Sequence, residues 1–364
     1  MGRLSLVIAD TDEAYVESIV DYLMINHSQR FQVSSFTKRE FLYEFLSSNT
    51  KKIDILLISN DLFSESLPKE NITSIVLLVA GKLPQEIEGT SSVIKYQHGD
   101  KLVGNIVSIF SEKTENPVVK AQGDKKTKVI AVYSPTGGSG KTTIAVCSSI
   151  QCARRGLGVF YLNLENLQST PLFFNCSSDQ NLSGILYFLK EKNKNLHLRI
   201  EGSRLVDAEH DVHYFSPPES IFDMEEAEPQ ELKTLIDELR TMSQYDIVFV
   251  DMSSDLNSRN IALLEACDEI ILVLSQDAVS EVKADVFIKQ LNIINHRKEL
   301  NLSDKMTVVL NRYNSHMALE VETVSINGKS ISGYIPLVPG MTAIKGSAQF
   351  VDINSEFGRS IQDI

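Results

Sequence analysis

An apolar strand that runs straight into a glycine-rich turn, and from there into a helix, constrains this chain more than any other feature. Lys128-Val-Ile-Ala-Val-Tyr133 leads through Ser134 and Pro135 to Thr136-Gly137-Gly138-Ser139-Gly140-Lys141-Thr142-Thr143. Small residues in a strand-to-helix turn let backbone N–H groups point inward at an anion. The helix N-terminus adds its positive dipole end. Lys141 is then placed to reach the β- and γ-phosphates of a nucleotide, and the Thr142 hydroxyl to ligate magnesium. A glycine turn whose lysine merely sits in solvent is the alternative. The strand before and the helix after supply the context that a phosphate loop requires.

The rest of the chain repeats the same rhythm. With 364 residues, a prior of roughly 150 residues per domain suggests two domains. Within residues 4–110, short apolar runs (Leu4–Ala9, Phe31–Ser35, Ile53–Ser59, Ile75–Ala80, Val93–Tyr96) alternate with amphipathic segments. The segments at Ala14–Ile25, Lys38–Leu46 and Asp100–Phe110 read as helices. Residues 111–127 are polar, carry Pro117 and Gly123, and read as a linker. Residues 128–364 then carry strands at Val159–Leu164, Asp246–Asp251, Glu269–Leu274, Met306–Leu310 and Gly333–Pro336. Helices are expected at Thr142–Arg155, Leu182–Lys190 and Glu231–Thr241, and Glu201–Pro218 reads as irregular. Alternating βα units imply mostly parallel sheets, so the fold class is α/β with two doubly wound domains.

Bulk properties narrow the function. A net charge of −13 repels a phosphate backbone on average and argues against a dedicated nucleic-acid binder. Cys147, Cys152, Cys176 and Cys267 form no CxxC pair and read as small buried hydrophobes in a reducing compartment. The N-terminal apolar run is too short for a signal peptide. No stretch approaches the ~20 apolar residues of a membrane span. The C-terminal stretch SAQFVDINSEFGRSIQDI has Arg359 as its one basic residue, so direct membrane anchoring by a basic helix is not expected. The expected location is the cytoplasm. His210 and His213, among Asp207, Glu209 and Asp211, match no metal-ligand spacing and read as a solvated loop.

The glycine loop and five further motifs along residues 136–336 resemble the MinD/ParA ATPases, P-loop proteins of the SIMIBI type. The loop is similar to their variant K-G-G-x-G-K-[ST]. Asn163-Leu164-Glu165 stands at their D-x-D, and Asp251-Met252-Ser253 at their second acidic strand end. Ala266–Leu274 matches a following apolar strand, Asn311-Arg312 ends a later one, and Ile335-Pro336 matches a final turn. The resemblance implies ATP and Mg²⁺ as cofactors and a homodimer with nucleotide between the subunits. It implies Thr142 and Asp251 at the metal, Lys141 and Glu165 in catalysis, and residues 136–143 with Asn311, Arg312 and Pro336 around the nucleotide. Read as residues alone, Asp251 could instead cap a turn, Glu165 could be a loop carboxylate, Asn311 a helix cap and Arg312 a solvated side chain. Two departures matter. Thr136 replaces the signature lysine, and Asn163 replaces the first aspartate, so hydrolysis is expected to be slow, completed by another residue, or absent.

Residues 4–110 resemble the receiver domains of response regulators, with Asp10 and Asp12 after the first strand. The third strand ends in Ser59 where a receiver has its phosphate-accepting aspartate. Lys95 lies near the fifth strand in a register the sequence leaves open. Without a carboxylate nucleophile this reads as a docking module; turn chemistry at a strand end is the alternative reading of Asp10 and Asp12. A degenerate receiver ahead of a variant-loop ATPase is similar to the TadZ/CpaE proteins. The Tyr214–Glu219 segment and the helix after it fit that family's insertion. The resemblance implies an ATP-binding, slowly hydrolysing localisation factor for Flp (tight adherence) type IV pilus assembly. Its partners would be pilus or polar-localisation proteins, which would recruit it to the cell pole or inner membrane. A non-catalytic ATP-bound scaffold and a ParA-like partitioning ATPase are the alternatives.

Overall fold

Strands that are apolar on both faces must be covered on both faces, and the N-terminal strands of this chain are of that kind. The computed structural model describes residues 3–28, 30–81, 90–114, 127–176, 180–191, 195–316, 330–338 and 356–364. In order, β1 (Leu4–Ala9), α1 (Glu13–Asn26), β2 (Phe31–Phe36), α2 (Arg39–Ser48), β3 (Ile53–Ser59), β4 (Ile72–Val79), β5 (Ser91–Ile94) and α3 (Gly99–Lys113) build the first sheet and its helices. The sheet order is β2-β1-β3-β4-β5, every pair parallel. This is the doubly wound, flavodoxin-like order. Asp12 caps α1 by accepting from the Tyr15 N–H at 3.1 Å, which satisfies one of the helix's free donors. Helix α3 runs on to Lys113, past the expected end at Phe110. Of the expected linker, residues 115–126 lie outside the described residues.

The second sheet is built by β6 (Lys128–Tyr133), α4 (Lys141–Arg154), β7 (Val159–Asn163), α5 (Leu182–Lys190), α6 (Leu196–Ser203), β8 (Leu205–Val206), β9 (Val212–Tyr214), α7 (Ile221–Glu225), α8 (Pro229–Thr241), β10 (Ile247–Asp251), α9 (Ser258–Ala266), β11 (Glu269–Ser275), α10 (Ala278–Lys298), β12 (Met306–Tyr313), β13 (Gly333–Pro336) and α11 (Glu356–Gln362). Its order is β13-β12-β11-β6-β10-β7-β9-β8, parallel except for the final β8–β9 pair. Sequence periodicity marks Glu201–Pro218 as irregular, and here the structure differs. Val159 and Tyr161 of β7 pair with Val212 and Tyr214 of β9, so an unpromising segment extends the sheet. Strands this short carry too few residues to display a period, and only pairing reveals them. Nor are the histidines of this segment solvated together. His210 is buried, with Nδ1 2.7 Å from Asp207 Oδ2 and Nε2 3.2 Å from Arg154 Nη2. His213 Nδ1 lies 2.9 Å from the Tyr245 hydroxyl.

The chain falls into two compact units. One lies within Met1–Ala121 and Lys192–Ser203, the other within Gln122–Glu191 and Arg204–Ile364. Helix α6 therefore packs in the first unit, although in sequence it lies between α5 and β8 of the second. Leu198 is fully buried in the first unit's core with Ile106, Val107 and Phe110. The two backbones nearly touch: a Cβ on Gly104 would meet the Gly202 carbonyl oxygen at 2.6 Å. Polar contacts flank this line. Arg30 pairs with Glu201 at 2.8 Å, Arg199 with Glu112 at 2.8 Å, and the Asn195 amide donates to the Thr114 carbonyl.

Candidate functional site

The residues singled out around the glycine loop converge at one end of the second sheet. In a parallel sheet all strand C-termini lie on the same edge, which is where ligands bind in open α/β folds. β6 is central and delivers the loop 134–140; its neighbour β10 ends in Asp251, and β7 beyond it ends in Asn163. Gly138 (φ +71°) and Gly140 (φ +95°) adopt left-handed backbone, which glycine accepts at little cost. A Cβ on Gly140 would also lie 2.2 Å from Asn311 Nδ2, whereas Gly137 and Gly138 face open space. The loop thus has an open side beside its glycines and a close contact at its end.

Lys141 begins α4 and is buried. Its ammonium donates to Ser254 Oγ at 2.9 Å and lies 3.7 Å from Glu165 Oε1. The Thr142 hydroxyl is 3.4 Å from Glu165 Oε2. Burial pushes the Glu165 carboxyl up, and the Lys141 charge opposes that push. Asp251 is wholly buried. Desolvation, and then the nearby negative Glu165, push its carboxyl up to about 7. Such groups cluster where a cation or a reaction is to be served. Asp251 Oδ1, Ser139 Oγ and Thr136 Oγ1 are buried without a hydrogen-bond partner among the described residues. Buried polar atoms are normally satisfied. An orphaned carboxylate oxygen and an orphaned loop hydroxyl beside open glycines fit a Mg²⁺–triphosphate group.

Asn311, Arg312 and Pro336 sit at neighbouring strand ends, since Tyr313 of β12 pairs with Pro336 of β13. The structure separates the first two. Asn311 is buried, and its amide donates to the Ser139 carbonyl at 2.7 Å, clasping the loop itself. Arg312 takes φ +58° at a bulge and is exposed. Sequence reasoning missed Ser254, Tyr161, Asn260 and Arg259. Asn260 holds the 253–255 turn through the Ser253 and Asp255 carbonyls, which sets Ser254 under Lys141. Arg259 donates to Asn166 Oδ1 at 2.7 Å, beside Glu165. The Asp251-Met252-Ser253-Ser254 string was the one available signal for Ser254; the others are non-local contacts.

In the first unit, Lys95 follows β5 directly, its N–H bonded to the Val79 carbonyl at 2.8 Å. Its ammonium lies 2.9 Å from Asp10 Oδ2 and 3.2 Å from Asp12 Oδ2. Burial alone would lower the Lys95 pKa, but the bonds to Asp10 and Asp12 outweigh it and raise it. A cation of the protein's own thus occupies the carboxylate pair, and Ser59, buried at the end of β3, offers no carboxylate. Incubation with acetyl phosphate and Mg²⁺ is expected to leave the intact mass unchanged. A gain of one phosphate on the first unit would refute the docking-module reading.

A glycine loop between the central strand and first helix of a mostly parallel sheet, with Asp251 and Glu165 beside it, defines a P-loop nucleotide-binding fold. Residues 127–305 match the family described as an AAA domain, and residues 2–111 that described as a TadZ-like receiver domain. The chain is therefore a TadZ-like receiver domain followed by an AAA domain of the ParA/MinD fold. A ParA family ATPase from Chlorobium tepidum TLS is similar in structure, with TM-score 0.54 and 19% identity over 65% of this chain and 97% of that one. The MinC:MinD cell division protein complex of Aquifex aeolicus gives TM-score 0.51 and 18% identity over 65% and 93%. Cobyrinic acid a,c-diamide synthase from Mycobacterium smegmatis, with bound ATP analog and magnesium, gives 0.50 and 15% over 65% and 92%. At these identities the likeness is one of fold. A comparison with curated proteins finds no match. Among the described residues no helix is long and apolar enough to cross a membrane.

Proposed function

We propose that this chain binds Mg·ATP at residues 136–143 and works as an ATP-sandwiched homodimer that positions Flp (tight adherence) type IV pilus machinery, hydrolysing ATP slowly. The observation that carries the reading is the convergence of Lys141, Thr142, Glu165 and Asp251 on one loop, with the Asp251 Oδ1 and Ser139 Oγ atoms left unsatisfied. Thr142 and Asp251 would hold Mg²⁺, and the ion would neutralise charge on the phosphates. Lys141 would leave Ser254 for the β- and γ-oxygens. Glu165 would orient the attacking water, which phosphoryl transfer requires more than a strong base. Arg312 and Pro336 are the candidate contacts for adenine, with Asn311 keeping the loop beside them.

Slow turnover follows from Thr136. A neutral hydroxyl cannot balance the charge that develops on the γ-phosphate. The TadZ-like receiver domain supports pilus assembly as the setting and protein partners as its ligands. The net charge of −13 disfavours DNA as a partner. Recruitment to the cell pole or inner membrane would then run through such a partner, from the cytoplasm. ADP release and molecular mass should be measured on the purified chain with ATP, with ADP and without nucleotide. Slow ADP release, together with a dimer populated by ATP, is expected. A nucleotide-independent mass would remove the switch, and ATP binding without any ADP release would leave a scaffold.

A further inference from the structure

We propose that Asn163 and Tyr161 form a positioning relay that aims Asp251 at a metal ion and fixes the backbone of Glu165. On this view the amide at position 163 is a working part of the site rather than a lost carboxylate. The inference rests on the Mg·ATP reading above and names residues that reading does not use.

The register of two strands creates the relay. β7 and β10 are parallel neighbours with Asp251 opposite Asn163 and Phe249 opposite Tyr161. Side chains two apart on a strand share a face, so Tyr161 and Asn163 lie on one face, with Asp251 beside them. The Tyr161 hydroxyl donates to Asp251 Oδ2 at 2.9 Å. Its one proton is then committed, and its oxygen can only accept. Asn163 Nδ2 supplies the donor at 3.1 Å, and also reaches Thr170 Oγ1 at 3.3 Å. Asn163 Oδ1 in turn accepts the Glu165 N–H at 2.9 Å. The bonds run one way, from Glu165 through Asn163 and Tyr161 to Asp251. Tyr161 and Asn163 are 1% and 5% exposed and Asp251 0%, so water does not compete for these bonds.

At the far end, Asp251 Oδ1 has no partner among the described residues. A carboxylate with one oxygen fixed presents the other in one direction, and such outer bonds set how strongly a metal is held. An aspartate at 163 has no donor for the Tyr161 oxygen. It would also add a third negative group near Asp251 and Glu165. A glutamine or asparagine-like donor is what the phenol requires.

The test is the affinity of a fluorescent ATP analogue for the full chain, measured with Mg²⁺ and with EDTA. The readout is the ratio of the two. Tyr161→Phe and Asn163→Asp are each expected to cut the Mg²⁺-dependent gain about tenfold, with the EDTA affinity unchanged. A ratio equal to wild type in both variants overturns the relay. So does an equal loss with and without Mg²⁺, which marks a general disturbance of the loop. Should Tyr161→Phe fail to fold, the near-isosteric Asn163→Asp decides alone. A wild-type chain that binds no nucleotide removes the Mg·ATP reading itself. Wild-type binding with a clear Mg²⁺ gain, and variants that match it, removes the relay alone.

Discussion

Lys141→Ala is expected to weaken Mg·ATP binding by roughly a hundredfold or more, because hydrogen bonds to charged groups contribute up to about 3 kcal/mol each. The side chain is buried at the first turn of α4, its ammonium between Ser254 Oγ and Glu165. On the proposed function, removing it takes away the cation that would meet the β- and γ-phosphates. It also leaves the mostly buried Glu165 without the charge that opposes its desolvation, so the Glu165 carboxyl should rise further. Calorimetric titration with Mg·ATP measures the first effect, with thermal unfolding of the free chain as the control for folding. Wild-type affinity in a folded Lys141→Ala chain would sink the phosphate-loop assignment.

Leu198→Ala should destabilise the first unit by about 3 kcal/mol, the usual range for emptying a fully buried leucine site. The magnitude follows from where α6 lies. Leu198 is 0% exposed, and the Gly104–Gly202 approach leaves little room for α3 and α6 to close over a cavity. Leu198→Met, which conserves volume, should cost less than about 1.5 kcal/mol. Denaturant unfolding of the full chain gives both numbers. Amide exchange should rise in α3 and α6 of the alanine variant ahead of the second unit. A loss below about 1 kcal/mol for Leu198→Ala would mean that α6 is not docked in solution as it lies here.

Much of the site was legible because its signals are local. The glycine loop declares itself in consecutive residues, and the strands before it and after it are apolar runs long enough to show. Asp251, Asn163 and Asn311-Arg312 each close such a run, and the parallel sheet gathers strand ends onto one edge. What was not legible depends on side chains that meet from distant positions. Ser254 matters because Asn260 shapes its turn. Arg259 matters because it reaches Asn166, in the turn beside Glu165. Asn163 looks like a missing charge until Tyr161, two residues back on its own strand, and Asp251 on the neighbouring strand are seen beside it.

By itself, then, the sequence determined the α/β class of both halves, the glycine loop after the central strand, the strand ends at Asn163 and Asp251, and Ser59 at the end of the third strand. Each is written in a short stretch whose period or composition has one structural solution. Tertiary structure decided the rest. It turned the Glu201–Pro218 stretch into the β8–β9 edge, placed α6 in the first unit, buried His210 against Asp207, and set Lys95 between Asp10 and Asp12. Those outcomes are decided by pairing and burial between segments far apart in the chain, and no local window carries the free energy of a contact made across the fold.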